Sequence, residues 1–129
     1  MVQILAINTV RPSQLYLSSQ KLAAVLEWFD FANPSYDPLP IAEYGDELYL
    51  LDGHTRAFVA HLGGIKQVRV TREQSILEQE DKQVYHECFA WCADAELRTV
   101  SDLSGRILNP EVYQKLWIDR CQQVAEQLE

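Results

Sequence analysis

Apolar residues along the chain fall into short runs whose period changes several times, and each change marks an element boundary. Residues 4–10 are apolar and β-prone, and Arg11-Pro12 stops them, which predicts a first strand. Ser18 or Ser19 then caps a helix in which Leu22, Val25, Leu26 and Phe29 recur at helical spacing, with Asn33-Pro34 as its stop. A turn-rich stretch through Tyr36-Asp37-Pro38 leads to two apolar runs, 39–44 and 47–51, separated by Gly45-Asp46. That pair predicts a hairpin, because glycine accepts the positive φ of a tight turn.

The second run feeds directly into Asp52-Gly53-His54-Thr55-Arg56. Ala57, Phe58, Ala60, His61 and Leu62 then predict a short helix closed by Gly63-Gly64, and residues 67–71 predict another strand. Beyond them the pattern is helical. Ser75 with Glu78 makes a capping box, opening a helix with Val84, Cys88, Trp91 and Cys92 on one face. A short helix follows Ser101. Asn109-Pro110 is an N-cap and N1 pair for a final helix that turns Val112, Leu116, Trp117, Cys121, Val124 and Leu128 inward. This order predicts a mixed α+β fold: a small mixed sheet with helices over about residues 4–72, followed by C-terminal helices over about 75–128.

Length and composition narrow the class. A chain of 129 residues suits one domain, 1–129, and 47% hydrophobic with 23% charged residues is the profile of a soluble globular protein. The 11 basic residues are outnumbered by 19 acidic ones, a net charge of −8, so no long-range field draws the chain to nucleic acid or an anionic membrane. The odd cysteine count (Cys88, Cys92, Cys121) argues against a disulfide scaffold and for a reducing, cytoplasmic setting. Cys88 and Cys92 near His86 invite a metal reading, but further ligands are missing, and both are expected in the core with no metal assigned. The start of the chain does not read as a signal peptide, and no apolar stretch approaches membrane-spanning length. Oligomeric state stays open.

The strand-to-helix junction carries the candidate chemistry. The first turn of a helix leaves backbone N–H groups without intrahelical partners, and the aligned peptide dipoles add positive charge there. Gly53 lets a ligand approach the backbone. His54, Thr55 and Arg56 occupy the first turn, where an imidazole, a hydroxyl and a planar fork can converge on a phosphate. Asp52 can accept a proton, hold a metal or orient His54, so Asp52 and His54 are the candidate catalytic pair. The plain alternative is an ordinary helix cap with Arg56 as a surface charge. Trp28, Trp91 and Trp117 lie beside apolar helix faces and read as packing, and Glu78, Glu80 and Asp81 as a solvated helix start.

Leu39-Pro40-Ile41, the hairpin and Leu50-Leu51-Asp52-Gly53-His54-Thr55-Arg56-Ala57, preceded by Arg11-Pro12 and a helix, resemble the ParB/sulfiredoxin superfamily over about residues 4–72. The resemblance implies a site for phosphates at Gly53, His54, Thr55 and Arg56, with Arg11 as a second positive contact. Its implied ligand is a nucleotide (ATP, ADP or CTP, with Mg²⁺) or a small phosphorylated molecule. Asp-Gly-His-Thr-Arg is closest to the free serine kinases of the superfamily, which places a small phosphotransferase first. Those kinases carry a catalytic Glu where this chain has Ser13-Gln14, which favours a non-catalytic binding or regulatory module as the alternative. His54 replaces the sulfiredoxin cysteine, removing that chemistry. The chromosome-partitioning members' DNA-reading module has no counterpart, and a ParB-like nuclease is disfavoured by the negative charge and the lack of a second carboxylate cluster.

Overall fold

The first apolar run folds as two strands. A computed structural model describes residues 1–128, and for Asp81 the backbone alone, so that residue's expected place on a solvated face lies outside the described residues. Strand β1 (Val2–Ala6) ends in a 3-10 turn over Ile7–Thr9, and β2 (Val10–Arg11) begins at once. β1 pairs antiparallel with β6 (Gln67–Arg72), while β2 pairs parallel with β5 (Glu47–Leu50). With β4 (Leu39–Tyr44) they form a five-stranded mixed sheet ordered β1-β6-β4-β5-β2, so two consecutive strands occupy opposite edges. Laid flat, those edges would lie about 19 Å apart at the usual strand spacing. The link from Ala6 to Val10 reaches at most about 14 Å even when extended, and it is wound into a turn. The sheet therefore curls on itself.

The curl encloses one apolar layer. Val10, Leu39, Ile41, Leu50, Val68 and Val70 are buried together with Ala57, Phe58, Val59 and Ala60 of α2 (His54–Leu62). On β6 the alternation is clean, with Val68 and Val70 inside and Gln67 and Arg69 outside. The β4–β5 hairpin is buried on its second face too, where Ala42, Tyr49 and Leu51 meet Leu77 and Phe89. Its two-residue turn places Gly45 (φ 58°) and Asp46 (φ 68°) in the left-handed region, the conformation whose twist matches the flanking strands.

The helices follow their caps where the caps are local. Ser18 accepts a hydrogen bond from the Lys21 N–H and opens α1 (Ser19–Trp28). That helix stops at Trp28, ahead of Asn33-Pro34, because Phe29 turns extended and enters the core. Asn109 caps the last helix through the Val112 N–H, with Pro110 at its first position.

Three expectations about the C-terminal part are corrected. The Ser75 box does not form: 3-10 turns cover Gln74–Glu78 and Glu80–Lys82, and α3 (Val84–Asp94) begins only at Val84. Gln74 instead hydrogen-bonds both backbone groups of Glu43 at 2.7 Å, which holds the segment against β4. The turn after Thr99 is boxed by Thr99 and Asp102, and the chain then forms β7 (Ile107–Leu108), which pairs parallel with β3 (Leu17–Ser18). The final helix is interrupted: α4 (Pro110–Tyr113) passes through a π turn over Gln114–Ile118 into α5 (Asp119–Gln127). A π turn holds an extra residue and rotates the faces of the helix, so Tyr113 and Trp117 are buried while Val112, Leu116 and Leu128 stay exposed.

The architecture is a mixed α+β fold, and one hydrophobic core runs from the sheet through Cys88, Cys92, Tyr113 and Trp117. Among the described residues no helix is long and apolar enough to cross a membrane. Ile41 is 0% exposed inside the curled sheet. Ile41→Ala is expected to lower stability by about 2–5 kcal/mol, the usual cost of emptying such a site; urea unfolding with an unchanged slope would measure it.

Candidate functional site

Strand β5 delivers Leu51 and Asp52 to the start of α2, and Gly53 makes the corner at φ 79° and ψ 23°. The positive φ favours glycine, and a Cβ there would lie 2.6 Å from Arg56 Nη2, the movable end of a long side chain, and 2.7 Å from Cδ2 of the buried Leu39. The Arg56 guanidinium thus folds back over Gly53, where its Nη1 donates to the Asp37 carbonyl at 3.2 Å. With glycine at the cap, α2 has no side-chain cap. Its first intrahelical bond runs from the Ala57 N–H to the Gly53 carbonyl, leaving the N–H groups of His54, Thr55 and Arg56 without intrahelical acceptors.

His54 faces inward. Its ring is 3% exposed, and Nε2 accepts the Ser13 backbone N–H at 2.9 Å. The Ser13 hydroxyl in turn donates to the Leu50 carbonyl. An accepting Nε2 places the proton of the neutral imidazole on Nδ1, which has no partner among the described residues. Burial pushes the His54 pKa down to about 4, against the smaller opposing pull of the Asp52 charge. The ring is thus tied through Nε2 to Ser13 and fastens α2 to the chain after β2, while His54 stays among the residues lining the groove beside Gly53. His54, Ala57 and Phe58 form one inward stripe, a spacing visible in the sequence.

Arg11 is placed elsewhere. It alternates with the inward Val10 on β2, and its Nε pairs with Glu47 Oε2 at 3.1 Å. It does not line the groove beside Gly53, and the second cation there is Lys21 of α1. This groove, about 290 Å³, runs between α1 and the junction. One wall is the α1 stripe of Lys21, Ala24, Val25 and Trp28; the other is residues 52–56, with Gln14 also lining it. Trp28 is 50% exposed here, which corrects its reading as a packing residue. Its stripe is offset by one residue from Leu22, Val25, Leu26 and Phe29, which dominate the helical periodicity and hide it.

Two features set the groove's chemistry. Neither Lys21 nor Arg56 makes an ion pair among the described residues, so a net-acidic protein keeps two unneutralised cations around one carboxylate, Asp52. The groove is also braced from the C-terminal helix. Gln14 Nε2 donates to the Tyr113 hydroxyl and to the Tyr16 carbonyl, both at 2.8 Å, and Lys21 Nζ lies 5.4 Å from the centre of the Tyr113 ring. Burial, with nearby Cys121 and Asp52 adding to it, pushes the Tyr113 pKa up to about 12 and keeps it a neutral phenol.

No family model matches the chain, and no curated protein matches it. Among solved structures it is similar to the crystal structure of protein Atu1540 from Agrobacterium tumefaciens, at 20% identity with a TM-score of 0.47. That likeness covers 57% of this chain and 38% of the other, so the match spans well under half of that structure's length.

The His54 geometry sets a pH dependence. The folded-state pKa of about 4 lies below the unfolded value of 6.5, so the unfolded chain binds the extra proton first as pH falls. Stability from this group is full above pH 6.5 and falls by roughly 3 kcal/mol down to pH 4. His54→Gln should show a smaller acid-induced loss than the wild type in urea titrations across that window, and the His54 ring signals should titrate below pH 5. Tyr113→Phe should cost about 1 kcal/mol through the lost Gln14 bond, read as a lower thermal midpoint.

Proposed function

We propose that the protein binds a nucleotide or other small phosphorylated molecule in the groove between α1 and the start of α2, as a ParB-like domain. One observation carries the reading: an uncapped helix N-terminus opens onto a groove whose two cations, Lys21 and Arg56, have no carboxylate partners among the described residues. A phosphate seated there meets backbone N–H groups, the Thr55 hydroxyl and the Arg56 fork. The Asp37 carbonyl uses one guanidinium N–H and holds the fork over Gly53. Beyond the phosphate, Ala24, Val25 and the half-exposed Trp28 offer an apolar surface for a base, which favours ATP, ADP or CTP over free phosphate. The resemblance of Asp-Gly-His-Thr-Arg to the serine-kinase branch of the ParB/sulfiredoxin superfamily points the same way.

Mg²⁺ fits this reading as a companion of the phosphates. Among the described residues no group of three or more His, Cys, Asp or Glu side chains converges, and Asp52 is the carboxylate lining the groove. Asp52 would hold the ion together with phosphate oxygens, the sharing that Mg²⁺ commonly adopts. The bound ion would supply charge neutralisation.

Binding, rather than turnover, is the function the geometry supports best. The His54 Nε2 is occupied, the Gln14 amide is tied to Tyr113, and neither can take a proton from an acceptor hydroxyl. The second reading, a small phosphotransferase, rests on Asp52, which is exposed at the groove and able to act as base.

Calorimetric titration with ATP, ADP and CTP, with and without Mg²⁺, tests the proposal. Arg56→Ala is expected to weaken binding at least tenfold, about 1.4 kcal/mol, while unchanged affinity would overturn the assignment. Product formed from a nucleotide and small hydroxyl acceptors by the wild type, and abolished in Asp52→Asn, would establish the transferase; binding without product leaves the module.

A further inference from the structure

The cleft formed by the Leu15-Tyr16 segment, α3, the chain before β7 and α5 holds about 290 Å³ and shares no lining residue with the groove. Arg106 and Arg120 stand in its wall. The Arg106 guanidinium lies over the Tyr16 ring, 5.4 Å from its centre, and the Arg120 guanidinium lies over the Trp91 ring at 4.0 Å. Arg106 Nη1 is also 3.5 Å from the Leu15 carbonyl.

Stacking on an aromatic ring uses the flat face of a guanidinium and leaves its N–H edge free in the plane. A free arginine gives up side-chain rotamer entropy when it is fixed by a ligand. Both side chains are half-buried against rings, so much of that freedom is already gone before any ligand arrives. Neither makes an ion pair among the described residues, in a chain with 19 acidic and 11 basic residues. Their charges also converge: both act on the buried Cys92 thiol, opposing the upward push of burial on its pKa. Asp94 lines the same cleft and offsets one of the two positive charges, leaving a formal +1.

We infer that this cleft is a second binding site, in which the edges of Arg106 and Arg120 hold one oxyanion group, a carboxylate or phosphate, of a small metabolite. Nothing in this inference depends on what the α1–α2 groove binds. Asp94 sets the selectivity: it repels a dianion more than a monoanion, so a carboxylate is favoured over a doubly charged phosphate.

NMR titration of the full ¹⁵N-labelled chain at low salt, with the monocarboxylate butyrate and with inorganic phosphate as separate probes, tests it. The Trp91 indole N–H and the Arg120 Nε–H signals are expected to shift and saturate. Saturation by butyrate, alone or more tightly than by phosphate, supports the site and its selectivity; saturation by phosphate alone overturns the role given to Asp94. Affinity read at these two signals should fall at least tenfold in Arg106→Ala and in Arg120→Ala, stay unchanged in Lys66→Ala, and rise for phosphate in Asp94→Asn. Where an alanine variant loses its dispersed spectrum, Arg106→Lys and Arg120→Lys serve instead, keeping the charge but losing the fork, with an expected loss of at least threefold. Shifts that grow linearly without saturating, or that persist unchanged in the arginine variants, overturn the inference.

Discussion

The hydrogen bonds of Ser13, from its backbone N–H to His54 Nε2 and from its hydroxyl to the Leu50 carbonyl, tie the chain after β2 to both sides of the β5–α2 junction. Ser13 follows β2, His54 begins α2, and the Ser13 hydroxyl reaches the Leu50 carbonyl at the end of β5. All of these groups are buried, so breaking the tie would strand donors and acceptors away from water, which costs more than the net worth of the bond itself. The bond also requires a neutral imidazole, since a protonated ring has no acceptor to offer. The orientation of α2, and with it the corner at Gly53, depends on this buried and uncharged contact.

From that anchor the groove follows. Once α2 is pinned at its first residue, the left-handed Gly53 leaves the helix end open, and the missing Cβ lets the Arg56 fork lie across it. The C-terminal helix contributes at a distance. Tyr113, held inward just before the π turn, receives the Gln14 amide and sits beneath Lys21, so both groups stay at the groove. Residues after β6 thus do more than extend the core; they brace the wall opposite α2.

Much of this was legible where the governing contact is local. The hairpin turn at Gly45-Asp46, the Ser18 and Asn109 caps and the Gly63-Gly64 stop depend on residues within a few positions of one another, and each formed where its residues stand. The local signal fails where a distant partner overrides it. Gln74 binds Glu43 across 31 positions and displaces the Ser75 box. The run 4–10 reads as continuous because its residues are uniformly apolar, yet pairing with β6 on one side and β5 on the other divides it. The π turn is invisible to a uniform helical period, which turns Val112 inward where the structure buries Tyr113.

The sequence alone determined the α+β class, the β4–β5 hairpin and the strand-to-helix junction at Asp52-Gly53-His54-Thr55-Arg56, because these rest on propensity, period and turn chemistry within a short stretch of chain. Tertiary structure alone decided which side chains face the groove. It turned His54 inward to Ser13, sent Arg11 to Glu47, and brought Lys21 and Trp28 beside Arg56. The physical reason is that a side chain's direction is set by what it packs against. Those partners lie on segments whose adjacency depends on how the sheet curls and not on their separation along the chain.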